Sequence, residues 1–179
     1  MTIEIAGDQA YVDAQRFALR PLRSSDAGLI TLYTSDERVA RMTSRIPHPL
    51  PPGSTEAFIE QARMPNRAED VWAIDGTRTR QGELLGIVSL KRLDRAQSEI
   101  GFWVAPAFWN TGIASEAVRA LVETNPHAST VLFAHVFQDN PVSARVLTNC
   151  GFDYLGDAES YSVARRCVVP TWTYSRRMT

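Results

Sequence analysis

The sequence predicts an α/β (α+β) fold: a mixed, mostly antiparallel, twisted sheet flanked by helices on both faces. Three observations predict it. Runs rich in β-formers alternate with stretches of 3.6-residue apolar period along the whole chain. Two of the β-rich runs, residues 71–74 and 83–93, are separated only by the polar segment 75–81, which is a hairpin signal. A strand ending near Val104 then passes through a short loop into a helix that opens at Gly112.

The elements follow in order. Residues 17–22 read as the first strand, and Ser24, Ser25 and Asp26 offer N-cap side chains for a helix through about Tyr33. Residues 36–42 suit a short second helix. Residues 47–53 form an irregular loop, because four prolines in six positions cannot sustain helical or central-strand hydrogen bonding. Ser54 or Thr55 then caps a helix through Arg63. After the hairpin, residues 98–104 are the next strand, and Gly101 within it fits a bulge or a close backbone approach. In the following helix Ile113, Ala114, Ala117, Val118, Leu121 and Val122 share one face, with Glu116, Arg119 and Glu123 opposite; it ends before Asn125 and Pro126. Residues 130–137 form a strand. Asn140 as N-cap and Pro141 at the first helical position open a helix to Asn149, closed by Gly151. Strands to about Gly156 and over residues 168–176 complete the sheet. Residues 1–15 are expected to be an N-terminal extension, its first dozen positions dispensable, and residues 16–179 a single domain.

Composition narrows the function classes. A chain of 179 residues with 44% hydrophobic content suits one domain with a substantial core. A formal net charge of −1, with no cluster of Lys and Arg, argues against a nucleic-acid partner. No apolar run approaches the roughly 20 residues that cross a bilayer, which argues against a membrane partner. Glu4, Asp8 and Asp13 also stand where a signal peptide carries basic residues, so the expected location is cytoplasmic. Cys150 and Cys167 form neither a Cys-x-x-Cys pair nor a zinc set with the three histidines. Both are expected to be reduced and structural, with no metal.

The junction at Gly112 can hold a phosphate. A helix N-terminus brings unpaired N–H groups and the positive end of its dipole, and glycine lets a bulky anion approach the main chain.

Three stretches carry a resemblance. Trp109-Asn-Thr-Gly112-Ile-Ala114 resembles the acyl-CoA signature, Arg/Gln-x-x-Gly-x-Gly/Ala, of the GNAT superfamily of N-acetyltransferases. Asn140-Pro-Val-Ser143, followed by Asn149-Cys-Gly151-Phe152, is similar to the family's Asn-x-x-Ser and Gly-Phe pattern. Phe17-Ala-Leu-Arg20-Pro-Leu-Arg23-Ser-Ser-Asp26 resembles the opening of the branch that includes the ribosomal-protein N-terminal acetyltransferases. Their order and spacing, over about residues 16–177, are more specific than any one of them. The resemblance implies the GNAT fold and transfer of an acetyl group from acetyl-CoA, without a metal or an acyl-enzyme. The acceptor would be a primary amine, either a ribosomal or other protein N-terminus or a small molecule. A homodimer stays open.

The family's site residues carry over one by one. The cofactor arm would follow the main chain of Phe102, Trp103 and Val104, where that strand splays from its neighbour, with the Val104 N–H as oxyanion donor. Asn110 and Thr111 depart from the glycine and basic residue common there. The Thr111 hydroxyl and the amides of Thr111, Gly112, Ile113 and Ala114 would then hold the pyrophosphate. Glu99 is the first choice for general base, because alternation puts it on the face of Gly101 and Trp103, opposite Ile100, Phe102 and Val104. A plain solvated carboxylate is the alternative, and His48 and His135 compete for the role. Asn140 would cap its helix and also reach the cofactor. Many relatives carry a Tyr seven residues later; Leu147 stands there, which leaves Ser143 to hydrogen-bond the departing sulfur. His48 and Trp72 are expected beside the acceptor. A non-catalytic CoA-binding or protein-interaction domain is the second reading. A hydrolase or acyl carrier of another fold is disfavoured, because the chain has no Gly-x-Ser-x-Gly elbow.

Overall fold

In this computed structural model residues 9–179 are described. The chain runs through β1 (Val12–Asp13), β2 (Ala18–Pro21), α1 (Ala27–Thr34), α2 (Glu37–Ala40), α3 (Ser54–Ala62), β3 (Glu69–Asp75), β4 (Gly86–Leu93) and β5 (Gln97–Val104). It continues through α4 (Ile113–Thr124), β6 (Val131–Phe137), α5 (Pro141–Asn149), β7 (Asp153–Ser162) and β8 (Cys167–Arg177). Eight strands make one sheet in the order β1-β2-β3-β4-β5-β6-β8-β7. Every neighbouring pair is antiparallel except β5 and β6. The expected mixed, mostly antiparallel sheet is therefore the one observed. No helix among the described residues is long and apolar enough to cross a membrane.

Each face of the sheet has its own apolar cluster. On one, α4 and α5 cover Leu19, Trp72, Ile74, Val88, Leu90, Ile100 and Val104. The predicted stripe of α4 does this, with Ala117, Val118 and Leu121 fully buried. On the other, α1 and α3 cover Leu22, Val71, Ala73 and Ile87, and Trp103 packs against that cluster. Strand alternation thus sends Ile100 and Val104 one way and Trp103 the other.

A buried charge cluster locks the entry to α1. The Arg20 guanidinium donates to both Asp26 oxygens (2.8 and 2.9 Å) and through Nε to Asp75 (2.7 Å), with Arg20 and Asp26 at 2% and 1% exposure. Burial opposes the Arg20 charge, but the two carboxylates outweigh it and raise the pKa above the ordinary arginine value. Asp26 also accepts the Arg23 N–H at 2.7 Å. The spacing from Arg20 to Asp26 is thereby explained as a strand-to-helix clasp.

Local expectations change at four places. The α3 N-cap is Gly53, at φ 81°, because the hydroxyls of Ser54 and Thr55 are engaged with the Pro51 carbonyl and the Thr31 hydroxyl. Strand β7 runs on to Ser162, since its long partner β8 continues to pair with it past an irregularity between Tyr154 and Gly156. Gly101 forms no bulge: β4 and β5 stay in unbroken register from Gly86↔Val104 to Leu93↔Gln97. The N-terminal extension is already part of the domain from Gln9 on. The Gln9 side chain donates to the Val71 carbonyl, the Trp72 indole donates to the Ala10 carbonyl, and Val12 pairs with Leu19 while 3% exposed.

A second buried network joins β3, β5 and the chain after α4. Asp70 accepts from Arg67 (2.6 Å) and Arg92 (2.9 Å) and lies 2.7 Å from His127 Nε2. His127 Nδ1 is 3.0 Å from Ser98 Oγ, which in turn meets Ser129 at 2.8 Å. These are the residue types of a Ser-His-Asp hydrolase. Ser98, however, is 1% exposed and no substrate reaches it, so the network is structural.

Burial alone would raise the Asp70 pKa, but the bonds from His127, Arg67 and Arg92 outweigh it and hold the carboxyl at about 2. A depressed folded pKa adds stability that is complete above the unfolded carboxyl range near pH 4 and is lost as pH falls toward 2. That loss amounts to roughly 2 kcal/mol. In urea unfolding between about pH 6 and pH 2, Asp70→Asn should start less stable than wild type and lose about that much less on acidification. An acid sensitivity equal to wild type would count against the pairing.

Candidate active site

The site begins where two strands part. Parallel β5 and β6 pair only through Gln97↔Val131, Ser98↔Leu132 and Glu99↔Phe133. Beyond that point β5 continues with β4 to Gly86↔Val104, while β6 continues with β8 to Phe137↔Thr171. The Ala105 N–H donates to the Leu85 carbonyl at 2.9 Å, which fixes the alternation. Gly101 and Trp103 therefore direct their backbone groups at β4, and Phe102 and Val104 direct theirs into the gap. This corrects the expectation for Trp103, whose main chain belongs to the β4 ladder. The Val104 carbonyl is taken by the Trp109 indole at 2.7 Å. Both backbone groups of Phe102 and the N–H of Val104 face the opening.

A glycine makes this geometry possible, but it is Gly86 rather than Gly101. A Cβ on Gly101 would meet only Ser89 Oγ at 3.3 Å, whereas one on Gly86 would lie 2.3 Å from the Trp103 carbonyl oxygen.

The loop after β5 ends in a cradle of amides. Asn110 and Gly112 take left-handed conformations, at φ 61° and 78°. Gly112 is the N-cap of α4 and supplies no capping side chain, so among the described residues the first-turn N–H groups of α4 have no side-chain acceptor. The Thr111 hydroxyl does not join them as expected, because it donates to the Phe108 carbonyl. Ile113 is 3% exposed, so its side chain anchors the helix and only its amide can serve the cradle; Ala114 packs on the same core.

A cation stands at this loop that sequence reasoning missed. Arg16 Nη1 donates to the Thr111 carbonyl (2.9 Å), its Nε to Glu116 Oε1 (2.7 Å) and its backbone N–H to Glu116 Oε2 (2.8 Å). It lies 95 residues before Thr111, and no local pattern connects the two.

Across the gap, Asn140 caps α5 by accepting the Ser143 N–H (3.4 Å) and donating through Nδ2 to Ser143 Oγ (3.0 Å). The Ser143 hydroxyl hydrogen stays available. Leu147 is wholly buried and Cys150 is 7% exposed, its thiol donating to the Ser115 carbonyl at 3.4 Å. Burial pushes the Cys150 pKa up, which suits packing and not nucleophilic attack.

Glu99 lies half-buried on the opposite face of β5, with no hydrogen bond or ion pair among the described residues. Lys91 is its cross-strand partner, and Glu69, the next across, is held by Arg45 (2.9 Å) and Ser89 (3.4 Å). Trp103 on this face meets Tyr33 edge-on at 6.4 Å. The chain after α2 is tied to the β7–β8 turn: the Val163 N–H donates to the Ser44 carbonyl, and Arg165 donates to the Arg41 carbonyl and to Asp139.

The remaining candidates separate. Trp72 is 0% exposed on the α4 face with its N–H bonded to Ala10, so it cannot touch an acceptor; it is core because its strand is central. His135 is exposed and 3.1 Å from the Thr173 hydroxyl. His48 is half-buried in the proline loop, and its Nδ1 is buried without a hydrogen-bond partner among the described residues.

Comparison with known proteins gives the class. The sequence profile of the acetyltransferase (GNAT) domain matches residues 16–153. The chain belongs to that family and is an N-acetyltransferase of the GNAT fold. It is 27% identical over 173 residues to the uncharacterized N-acetyltransferase YoaA of Bacillus subtilis, covering 92% of this chain and 94% of that one. Among solved structures it is similar to RimL, a ribosomal L7/L12 alpha-N-protein acetyltransferase in complex with coenzyme A, with TM-score 0.80, 14% identity, and coverage of 94% and 98%. It is also similar to spermidine N-acetyltransferase from Vibrio cholerae in complex with CoA and spermine, with TM-score 0.75, 17% identity, and coverage of 91% and 96%.

Gly86→Ala tests the strand geometry. The added methyl forces β4 from β5 at the end nearest the gap, so urea unfolding should show a loss of about 1–3 kcal/mol, the usual cost of overpacking. Wild-type stability would mean that the close approach is absent.

Proposed function

We propose that the chain binds acetyl-CoA along the gap between β5 and β6 and transfers the acetyl group directly to a primary amine. One observation carries the reading: the backbone of Phe102 and the N–H of Val104, turned into the gap, lead into the amide cradle at Gly112. A pantetheine arm has amides that can pair with such an edge, and a pyrophosphate suits helix N–H groups reached past a residue without Cβ. Asn110, Thr111, Ile113 and Ala114 complete the cradle through their main chain. The donor set fits the group.

Acetyl-CoA supplies an acyl carbon on a thioester, whose thiol, with a pKa near ~8.5, leaves as a tolerable anion near neutral pH. The protein's own groups do the rest. Glu99 takes a proton from the incoming amine, through water, on the face it shares with Gly101 and Trp103. The Val104 N–H donates to the carbonyl oxygen as negative charge grows there. Ser143, held by Asn140, hydrogen-bonds the departing thiolate through its hydroxyl. No acyl-enzyme forms, and Cys150 stays in the core.

The acceptor approaches over the face of Glu99, past His48 and the segment tied to the β7–β8 turn. It is the amine of a protein N-terminus, ribosomal or other, or of a small molecule. RimL and the spermidine enzyme illustrate both kinds on related folds. The site would work in the cytoplasm, where acetyl-CoA is available, as a monomer or a homodimer.

Gly112→Glu should nearly abolish CoA binding. A side chain at φ 78° adds strain of about 1–2 kcal/mol, and its carboxylate reaches the anion site and Arg16. Calorimetric titration of the folded variant with CoA reads the effect, and unchanged affinity removes the phosphate-loop assignment.

Glu99→Gln keeps size and loses the proton acceptor. The maximal rate at neutral pH should fall by roughly 10²-fold, the lower end of general-base catalysis, with CoA affinity held. A full rate across the acid side of the pH profile would place the base elsewhere.

A further inference from the structure

We infer that Arg16 supplies the positive charge for the pyrophosphate, in place of the basic residue that the loop lacks. The inference rests on the acetyl-CoA reading of the gap. Residues 109–114 contain no cation, so amides alone would face a dianion. Arg16 reaches the same point from before β2. Its Nε and its backbone N–H are both held by Glu116, and Nη1 holds the Thr111 carbonyl, which fixes the guanidinium plane against the loop. The third nitrogen, Nη2, has no protein partner among the described residues. It lies 3.4 Å from where a Gly112 Cβ would stand, and the side chain is 39% exposed. Two donors of a rigid fork therefore point at the open side of Gly112, the side an anion must use.

The Glu116 pairing has a second effect. A carboxylate in the first turn of α4 stabilises the helix but repels a phosphate beside it. With Arg16 on both of its oxygens, that repulsion is cancelled while the amides stay free. Arg16 thus acts as a ligand-contacting residue, and Glu116 as the residue that positions it.

Binding separates this role from a structural brace. Arg16→Gln should weaken CoA about tenfold or more in calorimetry, the usual worth of a charge-assisted bond. The KM for acetyl-pantetheine, which lacks the pyrophosphate, should stay within about twofold, and kcat with acetyl-CoA should hold. An equal loss on CoA and acetyl-pantetheine, or no loss on either, overturns the proposal. Arg16→Lys keeps the charge and the stem, folds if Arg16→Gln does not, and should keep CoA affinity within about threefold of wild type; a lysine variant that loses tenfold on both donors also overturns it. Wild-type protein that does not bind CoA overturns the acetyl-CoA reading itself, and with it this one.

Discussion

The three-residue parallel contact between β5 and β6 is the constraint on which the rest of the site depends. Had the pair stayed in register past Glu99↔Phe133, the N–H and C=O of Phe102 and Val104 would have been satisfied within the sheet. Both groups of Phe102 and the N–H of Val104 are instead presented to the gap, because each strand finds its other partner more persistent: β4 for β5, β8 for β6. Unpaired backbone is costly when buried away from water. Its survival here, beside a helix start without a side-chain cap, is the feature on which the proposed acetyl-CoA site rests.

Keeping such a gap open requires stiffness elsewhere, and two buried polar networks supply it on either side. Arg20 binds β2, the entry to α1 and the end of β3 into one unit. Asp70 and His127 join β3 to the chain that leaves α4, and Ser98 anchors β5 just before it parts from β6. Each network is nearly fully hydrogen-bonded, which is the condition for buried charge to hold a fold together and not strain it. The resemblance of the second network to a hydrolytic triad is chemical only; enclosure removes the access that catalysis needs.

Charge reaches the site from a distance. The loop from Trp109 to Gly112 has no cation, yet Arg16 reaches it from across the fold, with Glu116 holding the guanidinium in place. On the far side of β5, Glu69 is tied to Arg45, while Glu99 has no hydrogen bond or ion pair among the described residues. The division follows from side-chain reach: Arg45 extends to Glu69, and no described group meets Glu99.

The sequence by itself determined most of the elements and the helix starts that border the gap. Apolar period 3.6 marked α4, the hairpin signal paired β3 with β4, Gly112 marked the helix start, and Asn140 with Pro141 marked the cap. These are local effects of backbone sterics and burial, legible within a few residues. Tertiary structure alone decided the rest. Trp72 looks the same in sequence whether it lines a pocket or a core, and only its place in a central strand makes it core. Gly101 and Gly86 are equivalent as letters, and only the register shows that Gly86 is where two backbones meet. Trp103 was separated from Phe102 and Val104 by the direction of its hydrogen bonds, which depends on which neighbour a strand keeps. Arg16 came to stand beside the Gly112 loop through a contact 95 residues long in sequence, and no local rule carries information over that distance.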